Sequence, residues 1–593
     1  MTKPETHMPS QAGSISAEPS RACFSPGRED VLIMAAMVVI YLLIALPNLG
    51  SFKVPATVWQ PLRKGESLVL DLGREVPVSR IYYYCGINDK RFQQTSFSLD
   101  YETKGRFRPL AHFEKNDCNI WKFQDAGVTT SRLRIVADTA GGALNELVVL
   151  EKGAQVPLAG MRISALNSAG TEPQHLLDEQ STFEAGPSFI NGFYFDEVYH
   201  GRTAYEHLQR MEPYENTHPP LGKLFIASGI AVFGMNSFGW RIAGTLFGAA
   251  LLPVMYLFGR KLFGRSFFAF CAAFLMMVDF MHFTQSRIAL IDIFGVFFIT
   301  AMYYFIHDFY VNSCPMAPIK KSAVPLILGG VCFGLGAASK WIAIYAGAGL
   351  ALLVALQLFR SFRNYRGELG THRFFWCYLL PVICVCLFSF LVIPAIIYLL
   401  SYLPYLMVEG ETHGFMDILR NQLDMFDYHS GLKATHPFSS PWWSWPLDLQ
   451  PVWFYTASGL LPGRTSTIAS FGNPAIWWTG LPAVIAAVII AARKRERRMA
   501  VIFTAFAFQY LPWMFVTRLT FIYHFFSAVP FMILCQVYVI QQAMERWPKA
   551  RWAVSGYLTV AGLLFIIFYP ALSGMEVSTD YIDRLRWLKS WIF

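Results

Sequence analysis

Long apolar runs separated by short charged breaks occupy most of this chain, at 31–49, 236–258, 266–283, 288–306, 324–338, 341–359, 374–402, 474–492, 499–516, 519–541 and 552–572. A helix needs roughly 20 apolar residues to cross a bilayer, and about 17 at the least. The pattern therefore predicts a polytopic α-helical membrane protein with about 11 transmembrane helices. The stretch Leu221 to Phe233 is apolar but short. Counted as a span, it would move Arg260, Lys261 and Arg265 to the outer side and invert every later basic cluster. Read as an interfacial or re-entrant helix, it leaves all of them on one side.

Residues 52–155 follow a different rhythm. Leu68, Leu70 and Leu72 alternate with Val69 and Asp71, and Phe97, Leu99 and Tyr101 alternate with Ser98 and Asp100. Leu133 and Ile135 repeat the pattern, and Gly and Pro break it. Period-two alternation with turn residues predicts an antiparallel β-sandwich. The segments LVLDLGREVPVSRIYYYCG, FSLDYETKGRFRPL and LRIVADTAGGALNELVVLE, in that order, resemble a galactose-binding-like jelly roll. A glycan ligand and a plain covering domain are both open for it. The expected organisation is a disordered cytoplasmic tail at 1–30, a first span at 31–49 read as an uncleaved anchor, and the extracytoplasmic β-sandwich at 52–155. A catalytic outer loop with interfacial helices at 156–235 comes next. Transmembrane core at 236–402 and 474–572 flanks a second outer loop at 403–473, and 573–593 forms an outer C-terminal tail.

Composition agrees with a lipid-facing surface. The chain is 54% hydrophobic and only 15% charged, where soluble proteins carry roughly 25% charged residues. The net charge of +9 collects at 260–265, 320–321, 360–373, 493–498 and 546–551. Such clusters between spans mark cytoplasmic loops, giving a multi-pass plasma-membrane protein with its N-terminus inside and its C-terminus outside. Nucleic-acid binding would want one contiguous basic face, which this chain lacks. Most of the ten cysteines lie in apolar runs; Cys85 and Cys118, in the outer polar segment, could be bonded to each other.

Candidate chemistry concentrates in the outer loops. In NGFYFDEVYHGR, Asp196 and Glu197 stand where an extended aromatic stretch gives way to a helix. Asp196 could simply cap that helix, or the pair could be catalytic. His200, Arg202 and the block His218-Pro219-Pro220-Leu221-Gly222-Lys223 follow, with Lys223 able to meet an anionic headgroup. Arg287 sits at a membrane boundary with Asp292 five residues on; a structural pair and a functional site are both open. Ionisable groups within a span are costly unless they have work to do. Lys340 and Arg518 lie at the outer face, where the charge rule disfavours a cation and a phosphate would hold one. Trp442, Trp443 and Trp445, with His436, could form an interfacial belt or a groove for sugar or acceptor. The outer histidines lack metal-ligand spacing, so no metal site is expected and a divalent cation stays undecided. The chain has no phosphate-binding glycine loop, which leaves a soluble nucleotide-sugar donor unsupported.

The blocks FDEVYHGR, HPPLGKLF, FGWRIAGTLFG, QSRIALID, GLGAASKW, THPFSSPWWSWPLDLQPVWFY, FGNPAIWW and QYLPWMFVTRLTFIYHFF resemble, in order, the protein O-mannosyltransferase family of GT-C glycosyltransferases. The resemblance runs from about residue 190 to the C-terminus. It implies an inverting transfer of mannose from a polyprenyl (dolichyl-type) phosphate to Ser or Thr of secreted or translocating proteins, with the translocation machinery as a further partner. It puts the catalytic pair on Asp196 and Glu197, with Asp196 the base, and donor contacts on His218, Lys223, Arg287 and Lys340; Arg518 is a further candidate for the phosphate. The lumenal β-trefoil repeats of eukaryotic members are absent, which suits a bacterial member. The β-domain before Asp196 is an addition to the family pattern, so a glycan, lipid or wall polymer is the alternative acceptor. A transporter or a sugar-binding receptor is the reading outside enzymology.

Overall fold

The computed structural model describes residues 26–593 apart from 88–94, 116–117 and 168. Most of the expected tail, residues 1–25, lies outside the described residues. The first helix, α1 (Arg28–Ala45), begins within the segment expected to be tail, because Asp30 accepts the Gly27 N–H and closes its first turn.

Six antiparallel strands follow: β1 (Ser67–Cys85), β2 (Thr95–Thr103), β3 (Arg106–Lys115), β4 (Ile120–Ala137), β5 (Glu146–Glu151) and β6 (Arg162–Asn167). They pair in the order β3-β2-β4-β1-β5, with β6 also on β1. The expected pair of sheets is thus one hydrogen-bonded sheet, since the long strands β1 and β4 run through both halves. β1 pairs with β6 over its first part and with β5 over its second. A register shift between Val78 and Arg80 adds one residue. Leu68, Leu70, Leu72, Val76 and Val78 precede it and Ile81, Tyr83 and Cys85 follow it, yet all enter the same core. A single inserted residue flips strand parity, and here it keeps the apolar face continuous. β6 carries the sheet past residue 155. Cys85 and Cys118 are both buried.

The membrane core is built from α4 (Ser237–Phe263), α5 (Ser266–Met277), α6 (Phe280–Ser286), α7 (Asp292–Asn312), α8 (Lys320–Ser339), α9 (Ile342–Leu369) and α10 (Thr371–Ser401). After the second long loop, which holds α11 (Phe415–Gly431), come α12 (Pro474–Lys494), α13 (Met499–Phe515), α14 (Ile522–Arg546) and α15 (Ala550–Ser573). Every expected span coincides with helix. Among the described residues, eight helices are long and apolar enough to cross a membrane, and α5 with α6, bent by 61° where they meet, has the geometry of a broken span or a re-entrant loop. α1 and α13 supply the other two runs. Two α-helices stand between the sheet and α4: α2 (Glu197–Leu208) and α3 (Leu221–Phe233), the latter too short to span, as its 13 residues require.

The basic clusters share one end of the bundle. Lys261 at the end of α4 pairs with Asp308 near the end of α7 at 2.8 Å, Arg498 before α13 reaches the Leu262 carbonyl, and Arg260 pairs with Asp30 of α1. Asp292, Lys340 and the long loops lie at the opposite helix ends. There the segment leading to Asp196 is held from two sides: the Phe193 N–H donates to the carbonyl of Asn119, next to β4, at 2.9 Å, and Ser188 meets the hydroxyl of Tyr455 in the second long loop at 3.1 Å.

Close helix contact in the core depends on glycine. A Cβ on Gly330 of α8 would lie 2.1 Å from the Ser389 carbonyl oxygen of α10. Gly330→Val should therefore cost about 1–3 kcal/mol of stability, read as a lower melting temperature in detergent. Gly367→Ala, where nothing stands within 4 Å, should leave the melting temperature unchanged or raise it.

Candidate active site

The chain enters the site through Phe195, whose φ of 50° is left-handed. An aromatic side chain rarely adopts that region, and such strain persists only where the surroundings enforce it. Asp196 follows at the N-cap position of α2, but its side chain makes no capping hydrogen bond. Among the described residues nothing donates to that carboxylate, which is partly exposed.

Glu197 is its opposite. The side chains of Glu197 and Arg241 are both 0% exposed and pair at 2.7 Å. Glu197 also accepts from the Tyr194 and Ala289 backbone N–H groups and from the Trp240 indole. Arg241 gives its remaining donors to the Leu49, Phe189 and Gly192 carbonyls. A fully buried carboxylate with every lone pair engaged cannot reach a sugar, so Glu197 belongs to the scaffold. Arg241 was missed at the sequence level, although a lone Arg within an apolar run was the signal.

The HPPLGK block builds a second scaffold around Glu215, which spacing did not single out. The ammonium of Lys223 donates to a Glu215 carboxylate oxygen, to the Glu215 carbonyl, both at 2.7 Å, and to the His218 carbonyl at 3.0 Å. All three of its protons are taken, so no N–H is left for a headgroup. His218 lies 3.0 Å from the other Glu215 oxygen, His200 lies 3.8 Å away, and the His429 ring stands 5.0 Å from that of His218. Arg287 is 4% exposed and donates to the Ala45 and Pro47 carbonyls at the end of α1. Burial turns it toward holding that helix end, and the envisaged pair with Asp292 does not form. Asp292 instead pairs with Lys340 at 2.6 Å, with both side chains partly open.

These charges set the titration of the loop groups. Burial raises Asp196 most, Asp292 adds to this, Lys340 opposes it, and the carboxyl sits at about 6. Burial would also raise Glu215, but the Lys223 charge and the His218 hydrogen bond overcome it and hold Glu215 well below the usual carboxylate range. Burial lowers His200 to about 3 and His429 to about 4, so both rings are neutral at physiological pH. Arg518 is lowered by burial, and among the described residues no carboxylate pairs with it.

Arg518, His436 and Trp442 line a groove of about 660 Å³ with Trp513 and residues of the 434–441 and 516–520 segments. Trp443 is 55% exposed outside it, and Trp445 is 0% exposed. The Trp445 indole donates to Ser440 and packs on Trp513 and His524, so it cannot form a groove wall. The carboxylates with metal-like spacing among the described residues, Glu146, Asp178 and Glu179, lie in the sheet region. Their oxygens already accept from Gln180, Thr57 and backbone N–H groups.

A bundle of this helix order, with the Asp196 carboxylate on its first long loop under the influence of Lys340 at a helix end, is a membrane glycosyltransferase of the GT-C fold. The yeast protein O-mannosyltransferase Pmt1–Pmt2 complex bound to its sugar donor superposes with a TM-score of 0.58 at 13% identity, over 68% of this chain and 89% of that one. The chain belongs to the protein O-mannosyltransferase family. The model for dolichyl-phosphate-mannose-protein mannosyltransferase matches residues 185–408, and that for the C-terminal four-helix region of protein-O-mannosyltransferase matches 414–591. The polyprenol-phosphate-mannose–protein mannosyltransferase of Mycobacterium tuberculosis is 26% identical over 67% of this chain and 86% of its own length. Its counterpart in Corynebacterium glutamicum is 26% identical over 63% and 81%. The sheet precedes both matched regions.

Removing either partner of the Glu197–Arg241 pair strands a buried charge, at about 3–5 kcal/mol. Glu197→Gln and Arg241→Met should both lower the melting temperature and the folded yield. A melting curve like that of the wild type for either one would contradict the scaffold role.

Proposed function

We propose that this chain transfers mannose from polyprenyl-phosphate-mannose to Ser or Thr hydroxyls of secreted or translocating proteins, with inversion at the anomeric carbon. The reading is supported by family membership, by relatives named for that reaction, and above all by one observation. Among the described residues Asp196 is an acid that the surrounding ion pairs leave without a partner, while Glu197, Glu215 and Asp292 are all engaged. A general base must be free to accept the acceptor proton and must be ionised at working pH, and a carboxyl at about 6 meets both conditions.

The phosphate needs cations that compensate charge growing on the leaving oxygen. Lys340 and Arg518 take this role. Both act electrostatically on His429, and Lys340 also acts on Asp196. The Lys340–Asp292 pair opens when the donor phosphate replaces the Asp292 carboxylate as partner. The groove beside Arg518, with Trp442 and His436, receives the acceptor. The basic clusters gathered at the opposite end support an orientation with that end in the cytoplasm and the site outside.

Purified protein given labelled polyprenyl-phosphate-mannose and Ser/Thr peptides should yield alkali-labile mannosyl-peptide. Asp196→Asn should melt like the wild type and lose about 10²- to 10⁴-fold in turnover. Turnover near wild type would remove Asp196 from the base role. Label appearing only on a glycan, lipid or wall polymer would replace protein as the acceptor.

A further inference from the structure

The helix α11 was not foreseen within the second outer loop, and its surface divides into three sectors. Successive residues turn by about 100° around a helix axis. Phe415, Met416, Leu419, Leu423 and Phe426 project over one sector and are 57%, 68%, 43%, 65% and 61% exposed. Arg420, Asp424 and Asp427 form the next sector and are exposed too. Ile418 and Met425, at 3% and 1%, lie with Asn421, Gln422 and His429 on the third, which faces protein. A helix buried in a bundle shows no charged sector, and one standing in water shows no apolar sector of this size.

The protein-facing sector fixes its depth. Gln422 accepts from the Tyr398 hydroxyl at 2.6 Å, and Asn421 from the Tyr402 hydroxyl at 2.9 Å. Tyr398 is in the last turn of the span α10, and Tyr402 is the first residue beyond it. α11 therefore lies level with the end of a membrane span, and only 17% of the apolar window of that span is buried in protein. Leu403, Leu406 and Met407, just past the end of α10, are exposed apolar residues as well. The same sector reaches the candidate site. Asn421 donates to the Asn216 carbonyl at 3.1 Å, His429 meets the Thr217 carbonyl at 2.8 Å, and the Trp341 indole next to Lys340 donates to Tyr398 at 3.0 Å.

We infer that α11 lies in the plane of the membrane interface, its apolar sector among the lipid headgroups and upper acyl chains. From there it holds the Glu215–His218 loop and the Lys340–Trp341 turn at headgroup depth. An amphipathic helix at such a boundary takes this orientation because the bilayer accepts its apolar face while its charges stay wet. The charged sector here is mainly acidic, so attachment comes from apolar burial rather than attraction to anionic lipid. The consequence concerns the donor: a lipid phosphate arrives at headgroup depth, and the groups that would meet it are tethered to a helix that floats at that depth.

The test uses the full-length protein in phosphatidylethanolamine–phosphatidylglycerol nanodiscs, with a photoreactive benzophenone amino acid at Leu419, Leu423 or Phe426 and, as control, at Asp424. Mass spectrometry should find lipid adducts at the first three positions, at least several-fold above Asp424. Cross-links to a second copy of the chain, or equal lipid labelling at all four positions, would overturn the inference. A second readout is independent of labelling. Leu423→Glu with Phe426→Glu should raise the KM for the lipid donor with kcat little changed. A loss of kcat and thermal stability together would mark a merely structural helix. The labelling arm needs no turnover, so its failure is distinct from a failure of the proposed reaction.

Discussion

The buried pair of Glu197 and Arg241 is the constraint on which the geometry of the site rests. Two unexposed charges are tolerable only when every donor and acceptor is met, and here the partners come from different parts of the chain. The end of α1 offers the Leu49 carbonyl, the segment before α2 offers Phe189, Gly192 and Tyr194, and the turn before α7 offers the Ala289 N–H. One ion pair thus pins three segments at a single point. The left-handed Phe195 lies between the pinned Tyr194 and Glu197, and the side chain of Asp196 beside it makes no cap to the helix.

From that division of labour follows the electrostatic layout. Neighbouring acids in one dipeptide have opposite surroundings: Glu197 is saturated with donors, and Asp196 has none among the described residues. Around them the charges are sorted by access. Lys223 is closed in by Glu215 and two carbonyls, Arg287 by the end of α1, whereas Lys340 and Arg518 retain exposure. On the proposed reading, these two could meet a substrate phosphate without stranding a buried charge. Burial keeps His200 and His429 neutral, so neither adds positive charge near Glu215.

The membrane architecture was legible in the sequence because span length and basic clusters are properties of contiguous residues. Asp196 was legible as a candidate through its motif, and Lys340 and Arg518 through their defiance of the charge rule. The partition between Asp196 and Glu197 was not, since it depends on Arg241, 44 residues away from Glu197. Lys223 and Arg287 looked available because spacing gives a charge's position along the chain but not its neighbours in space. Trp445 was misjudged for the same reason: Trp442, Trp443 and Trp445 of one loop have grooved, exposed and buried surroundings in turn. In the sheet, alternation identified the strands, while the bulge near Ser79 that joins both halves into one sheet left no mark in composition. α11 escaped notice because its apolar residues are spaced for one narrow sector and never form a run.

The most direct measurement is the pH dependence of mannose transfer in the wild type and in Asp292→Asn. With Asp196 as a base of pKa about 6, kcat/KM should fall as pH drops through that value. Replacing Asp292 removes a neighbouring negative charge and leaves Lys340 uncompensated. Both effects favour the Asp196 carboxylate, so the midpoint should move to lower pH. A midpoint that stays in place or rises, or a rate that is flat through the acidic range, would contradict a partnerless Asp196 coupled to the Lys340–Asp292 pair.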